Sequence, residues 1–171
     1  DFDNEPSLKI IKNNKYNFDF EIVTIKNIYG KGVLSALKTG LETFNEKACI
    51  IMMVDGSDDP STINKMSKIY ESGYDLVCAS RYVYGGRHIG GPLLKKNLSY
   101  FAGKSLFYLT TLPINDPTNS FKLYSRKGLK KIQIDSQGGF EIGIEIVAKF
   151  HNLGLKISET PTIWRDREIG K

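Results

Sequence analysis

The sequence holds only two cysteines and two histidines in 171 residues, and that scarcity closes off several chemistries. Cys49 and Cys78 are too few for a disulfide scaffold or a zinc cage. Both sit inside apolar runs, Ala48-Cys49-Ile50-Ile51 and Leu76-Val77-Cys78-Ala79, the pattern of buried thiols in a reducing cytosol. His88 and His151 alone do not furnish a histidine-rich metal site or a Ser-His-Asp triad. No apolar run approaches the ~18–20 residues of a membrane span, and no signal-peptide pattern is present. Acidic residues are missing from one long stretch: between Leu76 and Asn115 there is no Asp or Glu, whereas Arg81, Arg87, Lys95, Lys96 and Lys104 all lie there. What is present is ordinary for a folded chain, 40% hydrophobic and 25% charged, which excludes wholesale disorder and fits one domain. The net charge of +5 suits an anionic partner but falls short of a nucleic-acid-binding footprint.

Hydrophobic patterning predicts alternating strands and helices. Phe20–Ile25 reads as a short strand, and Val33, Leu34, Ala36, Leu37 and Leu41 follow at helical spacing. The continuous run Ala48–Val54 has the pattern of a central parallel strand buried on both faces. A polar loop, Asp55–Pro60, leads into a helix over Ser61–Ser72, and Leu76–Ala79 reads as a second buried strand. A glycine-rich loop (Gly85, Gly86, Gly90, Gly91) precedes a long helix over Leu94–Leu109. Phe121–Tyr124 reads as a strand, Phe140–Asn152 as a helix, and Leu155–Glu159 and Thr162–Trp164 as strands around Pro161. Such alternation predicts an α/β fold with a mostly parallel central sheet flanked by helices. Ligands of such sheets bind beyond the strands' carboxyl ends, which singles out Asp55–Pro60, Arg81–Pro92 and Asn115–Asn119.

The chemistry of those loops is consistent with a metal and a polyanion. Three aspartates in five residues at a strand end make a hard oxygen site of the kind Mg²⁺ or Mn²⁺ shares with substrate phosphates; the alternative is an Asx turn capping the next helix. Arg81 after a strand offers a fork suited to a diphosphate, or is a surface arginine. The glycines of residues 85–91 form either a mobile lid or a plain loop. Asp116-Pro117-Thr118-Asn119 places a carboxylate and an amide at a strand entrance, or is a turn. Gly30-Lys31-Gly32 lacks Walker A spacing and is set aside.

Six segments occur in order: Met53-Val54-Asp55-Gly56-Ser57-Asp58-Asp59-Pro60, Ser80-Arg81-Tyr82, Gly90-Gly91-Pro92-Leu93-Leu94-Lys95-Lys96, Asp116 to Tyr124, Gly138-Gly139-Phe140-Glu141 and Pro161 to Lys171. Together they resemble the family 2 glycosyltransferases, in particular the dolichol-phosphate-mannose-synthase-like branch. The resemblance implies a GT-A fold (nucleotide-diphospho-sugar transferase, Rossmann-like), a nucleotide-sugar donor, a divalent metal (Mg²⁺ or Mn²⁺) and inversion at the anomeric carbon. By position, Asp55 matches the first aspartate of the family's metal and diphosphate motif. Ser57 stands where many members carry the second, so Asp59 or Asp58 is the candidate further ligand. Arg81 matches a strand-end arginine near the donor diphosphate. Lys95 and Ser99 match a pattern that holds the acceptor phosphate in polyprenyl-phosphate transferases. Arg167 matches a late arginine on the phosphates, and Asp116 a carboxylate near the acceptor that is often proposed as general base. The family normally opens with a strand and a base-binding loop that have no counterpart here, so residues 1–171 read as a single catalytic domain trimmed at both ends.

These readings predict an inverting transferase moving a hexose from a GDP- or UDP-sugar to a polyprenyl (dolichyl or undecaprenyl) phosphate, without nucleic acid. It would work in the cytoplasm or at the cytoplasmic face of the membrane. An ionised lipid phosphate needs no general base, which makes Asp116 an orienting residue; a sugar hydroxyl would require Asp116 to take its proton. Tyr100, Phe101, Phe107 and Tyr108 on the long helix either touch a membrane surface or pack in the core. The rival readings are a transferase acting on a saccharide hydroxyl, a nucleotidyltransferase, and a non-catalytic nucleotide-sugar-binding relative.

Overall fold

The structure, a computed structural model, describes residues 23–53, 55–139 and 141–166. Its centre is a four-stranded sheet of order β1-β4-β2-β5, made of β1 (Ala48–Ile51), β2 (Leu76–Ser80), β4 (Lys122–Ser125) and β5 (Ile157–Pro161). β2 and β5 pair in parallel, whereas β4 runs antiparallel to both β1 and β2. The sheet is therefore mixed: three strands share a direction and β4 is reversed between them. This differs from the mostly parallel pairing expected from the alternation of elements. A second, two-stranded parallel ribbon joins β3 (Arg87–Ile89) to β6 (Ile163–Arg165).

Alternation along the strands splits the core in two. Leu76 and Cys78 of β2 face one cluster with Tyr124, Ile142, Ile146, Val147 and Phe150. Val77 and Ala79 face the other, with Met66, Phe121 and Leu123. Helix α5 (Ile142–Asn152) covers the first face and α2 (Thr62–Glu71) the second. The remaining helices are α1 (Val33–Thr43), the long α3 (Leu93–Thr110) and the single turn α4 (Arg126–Leu129). β2 is buried along its whole length, as its sequence predicts. β1 is not: it is half-buried and lies at the sheet edge among the described residues, because β4 takes the central place beside it. The strand expected over Phe20–Ile25 lies partly outside the described residues, and residues 23–25 are not in a strand. Cys78 is fully buried and its thiol is pushed up to about 12, too high for thiolate chemistry. Among the described residues no helix is long and apolar enough to cross a membrane.

Away from the strand ends singled out above, Glu145 anchors α5. Its carboxylate accepts hydrogen bonds from Lys149 Nζ at 2.6 Å, from the N–H of Asp135 at 2.6 Å and from the N–H of Ser136 at 2.9 Å. Burial alone would push Glu145 up, but the Lys149 ammonium, the Ser136 hydroxyl and these N–H groups hold it at about 2, below its ordinary 4.5. A carboxyl depressed by folding contributes stability above its unfolded value, and loses it as pH falls through the folded one. Urea midpoints measured against pH are therefore expected to drop between about 4.5 and about 2, and Glu145→Gln is expected to flatten that slope.

Candidate active site

The loop after β1 is built on its own carboxylates. Asp55 is exposed, and its Oδ1 accepts the Ser57 N–H at 3.0 Å, an Asx turn. Asp58 turns inward: it is buried and its Oδ2 accepts the Met53 N–H at 3.1 Å. Burial pushes the Asp58 carboxyl above its usual range and the Asp55 charge adds to this, while the Met53 N–H and Arg81 pull it back. Asp59 starts α2, its Oδ1 accepting the Ser61 N–H at 3.0 Å and its carbonyl the Thr62 N–H at 3.1 Å. The expected metal residues Asp55, Asp58 and Asp59 thus share one loop, each accepting a backbone N–H of that loop or the residues beside it. No three His, Cys, Asp or Glu side chains form a ligand cage among the described residues.

The end of β2 carries a bidentate ion pair. Arg81 grips Asp116 bidentately, Nε to Oδ2 at 2.7 Å and Nη2 to Oδ1 at 2.7 Å, and the Arg81 backbone N–H donates to Oδ2 at 2.9 Å. Thr118 Oγ1 donates to Asp116 Oδ1 at 3.2 Å and accepts from Arg81 Nη2 at 3.0 Å. Asp116 is fully buried and the Arg81 side chain only 10% exposed. Burial would lower the Arg81 pKa, but the Asp116 carboxylate outweighs it and holds the guanidinium above its ordinary value. Two predicted site residues, 35 positions apart, are therefore one closed ion pair.

Behind that pair stand two residues with no role assigned from the sequence, although Lys122 lies within the segment Asp116 to Tyr124. Glu159 of β5 accepts the N–H groups of Asn115 at 2.7 Å and Asp116 at 3.0 Å, and the Asn115 side-chain amide at 2.9 Å. Lys122 of β4 is fully buried, its Nζ donating to the carbonyls of Pro117, at 3.0 Å, and Asn119. Burial pushes the Lys122 ammonium below its ordinary pKa. Gly143 of α5 makes room for it, since a Cβ there would stand 3.3 Å from Nζ. The available signal was a charge inside an otherwise apolar strand, Phe121-Lys122-Leu123-Tyr124.

β6 ties the loops together. Trp164 bridges Asp58, the Arg165 N–H donates to the Ser57 carbonyl at 2.9 Å, and on its other side β6 pairs with β3. The glycine-rich segment thus contains a strand and is fastened to the acidic loop through β6. The Arg81 guanidinium lies 5.0 Å from the Tyr82 ring centroid and 6.0 Å from that of Trp164, and Tyr82 meets Tyr100 of α3 edge-on at 5.3 Å. Lys95 and Ser99 fall four residues apart on α3; their side chains, and all of Arg167, lie outside the described part of the structure.

A mixed sheet between helices, with an acidic loop, a buried arginine–carboxylate pair and an anchored glycine-rich ribbon at one rim, is the α/β architecture of the GT-A nucleotide-sugar transferases. Residues 1–133 match the family model described as glycosyl transferase family 2, and the chain belongs to that family. It is 29% identical over 150 residues to the polyprenol monophosphomannose synthase of Mycolicibacterium smegmatis, covering 86% of this chain and 56% of that protein. It is 25% identical over 173 residues to the dolichol-phosphate mannosyltransferase of Pyrococcus furiosus, covering 99% of this chain and 48% of that one. The chain thus spans about half the length of these relatives. Among solved structures, glucosyl-3-phosphoglycerate synthase from Mycobacterium tuberculosis, in complex with Mn²⁺, UDP-glucose and phosphoglyceric acid, superposes with a TM-score of 0.60. The identity is 18%, over 82% of this chain and 50% of that one, a likeness of fold.

Proposed function

We propose that the complete protein transfers a hexose, with inversion, from a nucleotide-sugar donor to an acceptor that arrives already ionised, a polyprenyl phosphate. The observation that carries this reading is the state of Asp116. A hydroxyl acceptor needs a nearby base within hydrogen-bond reach of its proton. Asp116, the carboxylate the family pattern offers for that task, is fully buried and saturated by Arg81 and Thr118. A phosphate oxygen needs no base, and Asp116 then serves to orient Arg81, which would meet the donor diphosphate. The names of the relatives support a phosphate-bearing lipid acceptor.

The acidic loop fits a hard divalent cation: its side-chain donors are all oxygen, and the buried Ser57 Oγ has no hydrogen-bond partner among the described residues. Asp55, with Asp59 and Ser57 as neighbouring oxygens, would hold Mg²⁺ or Mn²⁺, which supplies positive charge to the diphosphate leaving group. The M. tuberculosis structure with Mn²⁺ and UDP-glucose supports this use of a metal and of a nucleotide-sugar donor.

Helix α3 suits a lipid-borne acceptor. Gly103 sits so close to Asn115 that a Cβ would fall 2.4 Å from its carbonyl oxygen, so this face of α3 packs inward. The opposite face, at helical spacing, carries the exposed Leu94, Leu98, Phe101 and Tyr108. No acidic residue interrupts this region, in keeping with an anionic membrane surface. Lys95 and Ser99 near the helix start, with Arg167, would bracket the acceptor phosphate. The test is transfer by the complete protein to polyprenyl phosphate, to the dephosphorylated polyprenol and to phosphoglycerate. Polyprenyl phosphate alone is expected to be glycosylated, and Lys95→Ala is expected to weaken its use by roughly ten- to a hundredfold while donor hydrolysis is unchanged. Equal use of the free polyprenol would overturn the reading.

A further inference from the structure

We propose that Glu159 is a positioning residue for the transfer reaction, seating the Asp116–Arg81 pair and helix α3 on one shared anchor, Asn115. The inference rests on the transferase reading above and adds to it a residue that touches neither substrate.

The argument starts from donors and acceptors. All three groups that meet the Glu159 carboxylate are N–H donors: the Asn115 and Asp116 backbones and the Asn115 side-chain amide. A carboxylate accepts through both oxygens, whereas a glutamine has one oxygen and would turn an NH₂ against a donor. The Asn115 amide is itself oriented, because its Oδ1 accepts from Lys104 Nζ of α3 at 3.0 Å, which leaves Nδ2 for Glu159. The Asn115 carbonyl meets α3 again at Gly103, where no side chain fits. One residue further on, Asp116 takes three hydrogen bonds from Arg81. Glu159 thus fixes two successive backbone N–H groups, one at the seat of α3 and one at the residue that aims Arg81. On the transferase reading, which puts α3 toward the acceptor and Arg81 toward the donor, a carboxylate on β5 would set the spacing between the two substrates. A misplacement of about an ångström far from the reacting atoms can cost on the order of a hundredfold in rate.

The test exchanges the hydrogen-bonding roles. Glu159→Gln in the complete protein is expected to lower kcat roughly ten- to a hundredfold, a larger effect than on the donor KM, which rises only as far as Arg81 loosens. It is also expected to broaden the Arg81 Nε–H resonance, which should be sharp and protected from exchange in the parent. The double variant Glu159→Gln with Asn115→Asp restores a donor facing an acceptor without changing net charge, and is expected to recover both kcat and the resonance. If Glu159→Gln does not fold, the double variant still decides, because it must be folded and active. Unchanged kcat and resonance in Glu159→Gln, or failure of the double variant to recover, would overturn the proposal. If the parent transfers to no acceptor, the transferase reading fails instead, and the Arg81 resonance still tests the anchor.

Discussion

Asp116→Ala is expected to destabilise the protein by about 3–5 kcal/mol, because it leaves the Arg81 guanidinium buried without its counter-charge. The cost arises from the orphaned cation, not from the attraction lost, since burying both charges already offsets much of that attraction. Replacing both partners, Arg81→Met with Asp116→Ala, is therefore expected to recover a large part of the loss while leaving transfer activity abolished. Chemical denaturation of the two variants at neutral pH separates these terms. A loss below about 1 kcal/mol for Asp116→Ala would place the pair in the range of solvent-screened surface bridges.

Asp55→Ala is expected to remove the gain in nucleoside diphosphate affinity that Mn²⁺ confers on the complete protein, a difference on the order of a hundredfold given the several kcal/mol a bound cation contributes at a phosphate. Asp55 is the exposed carboxylate of its loop, and its neighbour Asp58 is committed to the Met53 N–H. Asp58→Asn should act differently, loosening the loop but sparing the metal response. Calorimetric titrations with Mn²⁺ and with EDTA report the difference directly; equal affinities in the parent would exclude the metal role.

Local pattern carried the sequence reading a long way. Val33–Thr43, Thr62–Glu71, Leu93–Thr110 and Ile142–Asn152 are helices where apolar spacing puts them, and β2 is buried because Leu76–Ser80 offers nothing to solvent. Strand order was not legible in the same way. An apolar run such as Ala48–Ile51 says that a strand exists, but not that its partner among the described residues is β4, slotted in reversed between β1 and β2. That reversal also puts the start of β4, and the loop before it, at the rim where the other strands end. The Asp116 segment reaches the site for that reason. Asp55, Arg81 and Asp116 could be picked out as chemistry-bearing residues, yet not as a closed pair and a separate loop, because pairing depends on contacts across 35 residues. Glu159 and Lys122 were not legible for the converse reason: each is a single charge in a strand, and its significance lies in the backbone and amide groups it meets across the fold.

The opposite rim of the sheet is fastened by unrelated contacts. There Lys127 pairs with Asp75 at 2.9 Å, Arg126 donates to Asn45, and the N–H of Asp75 reaches the Lys156 carbonyl at 2.8 Å. The exposed turns at Ser72–Gly73 and Leu153–Gly154 lead into β2 and β5 from that side; both glycines hold a positive φ, 96° and 65°, that a side chain would strain, so a graft goes on the neighbouring exposed Ser72 or Leu153. Reporter dyes, affinity tags or surface tethers belong at those turns, where a graft hangs from the end of the sheet remote from the Asp55, Arg81 and Asp116 loops and leaves the candidate site facing outward.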